Sequence, residues 1–173
     1  MEYDAVVYDL DNTLVELAVD WEAVRQEVAD ALDARGLDPE GDIWSMVSLA
    51  EENGHYGAVE NVLSDHERAG ARDAVRLPAA DLLPHDVPVG VCSLNCETAC
   101  REALERHELD PHVGSVVGRD SGPWRKPAGE PLLAALDPLG VDPESAVFVG
   151  DSDSDAETAA NAGTAFSYVR DWL

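Results

Sequence analysis

Two aspartates, Asp9 and Asp11, follow directly on the apolar run Ala5 to Tyr8, with Thr13 two residues further on. Asp151, Asp153 and Asp155 follow a second apolar run, Ala146 to Gly150, and Ser93 follows a third, Val87 to Cys92. Between them lies Lys126, the only lysine in the chain. Gathered in one place, so many carboxylates would repel one another and any phosphate. They make physical sense as a site only around a hard cation, and oxygen ligands with retained water favour Mg²⁺. A carboxylate can then attack phosphorus, dividing one displacement into two through an acyl-phosphate. In this reading Asp9 is the nucleophile. Asp11 donates a proton to the leaving oxygen and later takes one from water. Ser93 hydrogen-bonds a phosphoryl oxygen, and Lys126 neutralises charge on the equatorial oxygens and on Asp9. Asp151 completes the metal shell, Asp155 orients Lys126 or a metal-bound water, and Thr13 supports the site from behind. Asp153 is read as one more surface acid.

Such residues must be carried by elements that end at one place. Ala5 to Tyr8 reads as a buried strand whose carboxyl end carries charge. From Val87 onward, strands at Val87 to Cys92, Gly114 to Gly118, Ala146 to Gly150 and Thr164 to Tyr168 alternate with helices at Glu97 to Arg106, Pro131 to Leu139 and Asp153 to Asn161. Regular alternation predicts an α/β fold, a doubly wound parallel sheet covered on both faces, with ligands beyond the carboxyl ends of the strands. The segment Asp120 to Pro131 reads as an ordered loop. About sixty residues after the first strand contain helices only, at Trp21 to about Ala34, Ile43 to Glu52 and Ala58 to Ala69. The predicted organisation is therefore a catalytic core over residues 1–14 and 84–173, with a helical insertion over residues 15–83. Aromatic residues at helical spacing in that insertion, Trp21 and Trp44 among them, are assigned to its core.

Composition narrows the setting. The 173 residues hold 36 acidic and 11 basic side chains, a formal net charge of -25. Charge this far from neutrality opposes the compact state, and molar salt, with a Debye length of roughly 3 Å, removes the penalty. This predicts adaptation to a salt-rich cytoplasm. No basic stripe is present to neutralise nucleic-acid phosphates, so that class of partner is disfavoured. No run of apolar residues is long enough to span a membrane, and the first residues, MEYDAVVYDL, are acidic where a signal peptide would be basic. A cytoplasmic protein is the expectation. Cys92, Cys96 and Cys100 are an odd set without a familiar metal-binding spacing, and small buried thiols are expected.

The run AVVYDLDNTL, Ala5 to Leu14, resembles the first motif of the haloacid dehalogenase-like hydrolase superfamily, an apolar strand followed by Asp-x-Asp-x-Thr. VGVCS, Val89 to Ser93, is similar to its second motif, Lys126-Pro127 to its third, and VFVGDSDSDAETAANAG, Val147 to Gly163, to its fourth. All four stand in the family's order. The resemblance implies a Rossmann-like core, Mg²⁺, an aspartyl-phosphate intermediate and a metal site made of the Asp9 and Asp151 side chains and the Asp11 backbone carbonyl. It also implies that residues 15–83 are a helical cap, in the manner of the phosphoglycolate phosphatase-like branch. Many relatives place Asn directly after the Ser or Thr of the second motif. Here Leu94 intervenes before Asn95, and the Leu94 backbone N–H takes the phosphate-binding place.

The expected activity is hydrolysis of a small phosphorylated metabolite. Three rivals stay open. A dehalogenase has no leaving oxygen to protonate and lacks the second acid, whereas Asp11 is present. A phosphomutase draws catalytic residues from its cap, and the insertion here contains no lysine. A catalytically silent phosphate-binding protein would carry the same residues. Oligomeric state is not readable.

Overall fold

The computed structural model describes residues 3–173. Strand β1, Ala5–Tyr8, lies at the centre of a five-stranded sheet. β4, Val89–Cys92, and then β5, Ser115–Val117, extend it on one side; β6, Ala146–Gly150, and then β7, Ala165–Tyr168, extend it on the other. Every pairing in this sheet is parallel, with Val6 opposite Val89 on β4 and Val147 on β6. The continuous apolar runs of β1 and β6 follow from this position, since a central parallel strand is covered on both faces. Val6 and Tyr8 join Val89, Val91, Val147 and Val149 in the cluster on one face. Ala5 and Val7 join Phe148 and Cys92 in the cluster on the other.

Helix α4, Glu97–Arg106, seals the first face with Ala99, Cys100, Ala103 and Leu104. The second is sealed by α5, Glu130–Leu136, and α6, Asp153–Ala162. The predicted helix ending at Leu139 instead stops at Leu136 and tightens into a 3₁₀ turn over Asp137–Leu139. Pro138 accounts for this, because it lacks the N–H an α-helical turn requires. The sheet strands otherwise fall where the alternation places them. A last helix, α7, Val169–Trp172, lies beyond the elements that the alternation predicts. The three thiols are buried and unpaired.

Between β1 and β4 lie α1, Trp21–Asp33, α2, Ile43–Glu52, and α3, Tyr56–Arg72. Asp20 and Asp42 start the first two by accepting backbone N–H groups of the opening turn. Val24, Val28 and Leu32 then meet Met46, Val47, Ala50, Val59 and Leu63 in an apolar cluster of their own. The expectation of helices alone in this stretch is corrected. β2, Val15–Glu16, pairs antiparallel with β3, Val75–Arg76, where the chain leaves and rejoins the sheet. Strands of two residues are too short to display a period of two. No helix of the described residues is long and apolar enough to cross a membrane.

Candidate active site

The carboxyl ends of β1, β4 and β6 open onto a cavity of about 560 Å³. Asp9, Asp11, Ser93, Leu94, Lys126 and Asp151 all line it, so six of the residues singled out in the sequence share one space.

Asp9 leaves the end of β1 with its N–H donating to the Val149 carbonyl at 2.8 Å, which ties the residue to β6. The chain then turns sharply, with Asn12 in the left-handed conformation at φ 61°, a region that asparagine tolerates. This turn returns Asp11 to the cavity, where its Oδ1 accepts the Leu17 N–H at 2.8 Å. Thr13 is buried beneath the turn, and its Oγ1 has no hydrogen-bond partner among the described residues.

Lys126 reaches in from the loop before α5 and is almost wholly buried. Its Nζ donates to Asp9 Oδ1 at 2.8 Å and to Asp155 Oδ1 at 2.5 Å. Burial alone would push the ammonium down, but the Asp9 and Asp155 carboxylates reverse this and hold its pKa above the ordinary lysine range. Asp155 sits in the first turn of α6, where its other oxygen accepts the Ser152 N–H at 3.1 Å and the Ser152 hydroxyl at 2.7 Å in a capping box. Gly150 makes room for it: a Cβ there would lie 2.5 Å from Asp155 Oδ2. Both Asp155 oxygens are thus engaged, one by Lys126 and the other by Ser152. Asp153, by contrast, faces solvent and accepts the Tyr168 hydroxyl at 2.6 Å.

Carboxylate oxygens of Asp9, Asp151 and Asp155 lie within 4.8 Å of one another. With Asp155 occupied by Lys126 and Ser152, Asp9 and Asp151 are the two side chains of this trio left to a cation, and a hard, oxygen-preferring ion suits them. Burial pushes the carboxyls of Asp9, Asp11 and Asp151 up. Lys126 opposes the rise at Asp9, and the Leu17 N–H opposes it at Asp11. Ser93 Oγ donates to Asn95 Oδ1 at 2.9 Å and accepts the Asn95 N–H at 3.1 Å, so Asn95 sets the hydroxyl's direction.

Several lining residues escaped the sequence reading. Trp21 and Trp44 lie on the cavity wall with Arg25, and Trp21 is 38% exposed. Its spacing from Val24 and Val28 suggests the core, but it stands at the first residue of α1, where that stripe meets the opening. Glu67 also lines the cavity. It falls four residues after Leu63 and eight after Val59, on the buried face of α3, so a charged residue on an apolar stripe was the available signal.

A family model described as haloacid dehalogenase-like hydrolase matches residues 59–169. A phosphoglycolate phosphatase of Rhodospirillum rubrum is 33% identical over 188 residues, which cover 92% of this chain and 76% of that protein. A phosphoglycolate phosphatase of Chromobacterium violaceum is 31% identical, covering 93% of this chain and 82% of its own length. Among solved structures, a HAD-superfamily hydrolase from Geobacter sulfurreducens superposes with a TM-score of 0.64 at 26% identity, over 95% of this chain and 88% of that one.

Proposed function

This chain belongs to the haloacid dehalogenase-like hydrolases, and from that premise we propose that it is a Mg²⁺-dependent phosphatase that hydrolyses a small phosphorylated metabolite through an aspartyl-phosphate on Asp9. The observation that carries the reading is the Lys126 ammonium, 2.8 Å from Asp9 Oδ1, in a cavity that also holds Asp11 and Ser93. The names of the two relatives reported above, phosphoglycolate phosphatases, agree with this class of reaction.

With Asp9 Oδ1 held by Lys126, Oδ2 is the oxygen that attacks phosphorus. The bond from phosphorus to the ester oxygen breaks as the new bond forms, and Asp11 protonates that oxygen as it leaves. Its raised pKa, caused first by burial and then by the nearby Asp151, suits a carboxyl that must arrive protonated. Water then attacks phosphorus, Asp11 accepts its proton, phosphate departs and the Asp9 carboxylate is restored. Ser93 and the Leu94 N–H bind the phosphoryl oxygens, and Lys126 offsets their charge. Mg²⁺, held by the Asp9 and Asp151 side chains and the Asp11 backbone carbonyl, would neutralise the phosphoryl oxygens that face these acids.

Residues 15–83 act as a helical cap on a core of residues 1–14 and 84–173, and the cap's Trp21, Trp44 and Arg25 face the substrate. Asp11 favours phosphatase over dehalogenase. The acidic surface fits a cytoplasm rich in salt. The deciding experiment is hydrolysis of p-nitrophenyl phosphate: it should require Mg²⁺, stop with chelator, and fall by about three orders of magnitude or more in Asp9→Asn. Full turnover by Asp9→Asn would end the mechanism.

A further inference from the structure

Arg119, just beyond β5, has a fully buried side chain, although nothing in the phosphatase mechanism uses it. Its Nε and Nη2 donate to the two oxygens of Glu60 at 2.9 and 2.8 Å. Nη1 and Nη2 donate to the two oxygens of Glu67 at 2.6 and 3.1 Å, and Nη1 also donates to the Leu94 carbonyl at 2.7 Å. Glu67 in turn accepts the Cys96 N–H at 2.8 Å through Oε2. A buried ion pair is weak evidence for stability, since apolar residues of similar volume often serve as well or better. What distinguishes these bonds is the backbone they hold.

They hold the loop from Ser93 to Cys96, one peptide plane at a time. In the plane joining Leu94 to Asn95, the carbonyl is fixed by Arg119 and the N–H by Ser93 Oγ. In the next plane, the Asn95 carbonyl accepts the Arg119 backbone N–H at 2.9 Å, and the Cys96 N–H is fixed by Glu67. On the strand side, the Ser93 N–H donates to the Val117 carbonyl at 2.9 Å. The plane between these, joining Ser93 to Leu94, carries an N–H that donates to no protein group among the described residues, on a residue that lines the cavity. Gly118 keeps the packing close, because a Cβ there would lie 2.3 Å from the Glu97 nitrogen and 2.7 Å from the Asn95 carbonyl oxygen. One free donor is thus held between neighbours that cannot turn.

We propose that Arg119 and Glu67 are positioning residues: they fix the loop Ser93–Cys96 so that the Leu94 N–H stands ready as a donor to the transferred phosphoryl group, with Glu67 extending that hold to α3. This rests on the phosphatase reading for its purpose, though not for its test. A guanidinium is required, because an ammonium cannot present the fork that serves two carboxylates and a carbonyl together. The competing role, simple docking of α3 on α4, is already served by a pair away from the loop, Arg68 to Glu102 at 3.2 Å.

The test follows the Leu94 amide of ¹⁵N-labelled protein during titration with inorganic phosphate and Mg²⁺, alongside p-nitrophenyl phosphate turnover. Phosphate should shift that amide in the native chain. In Glu67→Gln and Arg119→Lys, phosphate affinity should fall roughly ten-fold, as for a charged hydrogen bond lost from alignment. Turnover should fall by about 10- to 100-fold. Arg68→Gln, which breaks only the α3–α4 pair, should change neither. Native phosphate affinity in a folded Glu67→Gln chain, or a Leu94 amide that ignores phosphate in the native chain, overturns the proposal. Glu67→Gln is close to isosteric and decides the matter if Arg119→Lys does not fold. Absence of turnover by the native chain would remove the phosphatase reading alone, since the amide titration judges the loop directly.

Discussion

Lys126 Nζ lies 2.5 Å from Asp155 Oδ1, while Asp155 Oδ2 is held by the backbone and hydroxyl of Ser152. One carboxylate therefore joins the lysine of the site to the start of α6, and the position of each depends on the other.

Breaking that joint should cost stability and activity together. Asp155→Ala leaves a buried ammonium with only Asp9 as partner and removes half of the capping box, a loss of about 3 kcal/mol. Gly150→Ala should do similar damage, because its new methyl would enter the space of the Asp155 carboxylate. Denaturant midpoints for the two variants would check this; an unchanged midpoint in Gly150→Ala would mean that the approach is not tight.

The role given to Asp11 predicts a dependence on the leaving group. Asp11→Asn should lose about 10²- to 10⁴-fold in turnover on an alkyl phosphate, whose alkoxide must be protonated. On p-nitrophenyl phosphate, whose leaving group departs as the anion, the first step, read as the initial burst of p-nitrophenolate, should lose much less, although the water step loses its base on either substrate. Equal losses in the first step on both substrates would mean that Asp11 is not the proton donor.

Burial raises the carboxyls of Asp9, Asp11 and Asp151 above the ordinary 3.8. Each then binds its proton more tightly in the folded chain than in the unfolded one. Their contribution to metal-free stability declines as pH rises from about 4 through their raised values. A Mg²⁺ ion held by Asp9 and Asp151 would require their ionised forms, so its stabilising effect should grow over the same window. Thermal melts with and without saturating Mg²⁺ measure the difference, which cancels carboxyls elsewhere such as Glu60 and Glu97, whose pKa values are lowered. A difference that stays constant with pH would count against these carboxylates as ligands.

A net charge of -25 predicts that salt stabilises the fold. Between low salt and molar KCl the melting temperature should rise by roughly 5 °C, corresponding to about 2 kcal/mol. Calorimetry across that range would show it, and a flat profile would mean that the acidic surface is not a response to salt.

The elements that end at the cavity were readable because each announces itself locally. An unbroken apolar run stops at Asp9 and another just before Asp151, and Lys126 has no other lysine to be confused with. What stayed hidden depends on partners distant in sequence. Arg119 meets Glu67 across 52 positions and Leu94 across 25, and neither separation leaves a periodic trace. Trp21 shows the opposite failure: its spacing matches the core, but its place at the first residue of α1 brings it to the cavity. Periodicity says which side of a helix faces inward; it does not say where along the helix the interior ends.

The short ribbon of β2 and β3 places Val15 opposite Arg76 and Glu16 opposite Val75, so the excursion of some sixty residues between them begins and finishes at one doorway. The chain enters and leaves the excursion through that doorway, and α3 is tied back to the core again by Glu67 to Arg119 and Arg68 to Glu102. A change of length in the loops that join α1, α2 and α3 would leave both ends of the excursion where they are, whereas exchanging α3 would take with it the carboxylate that grips the loop after β4.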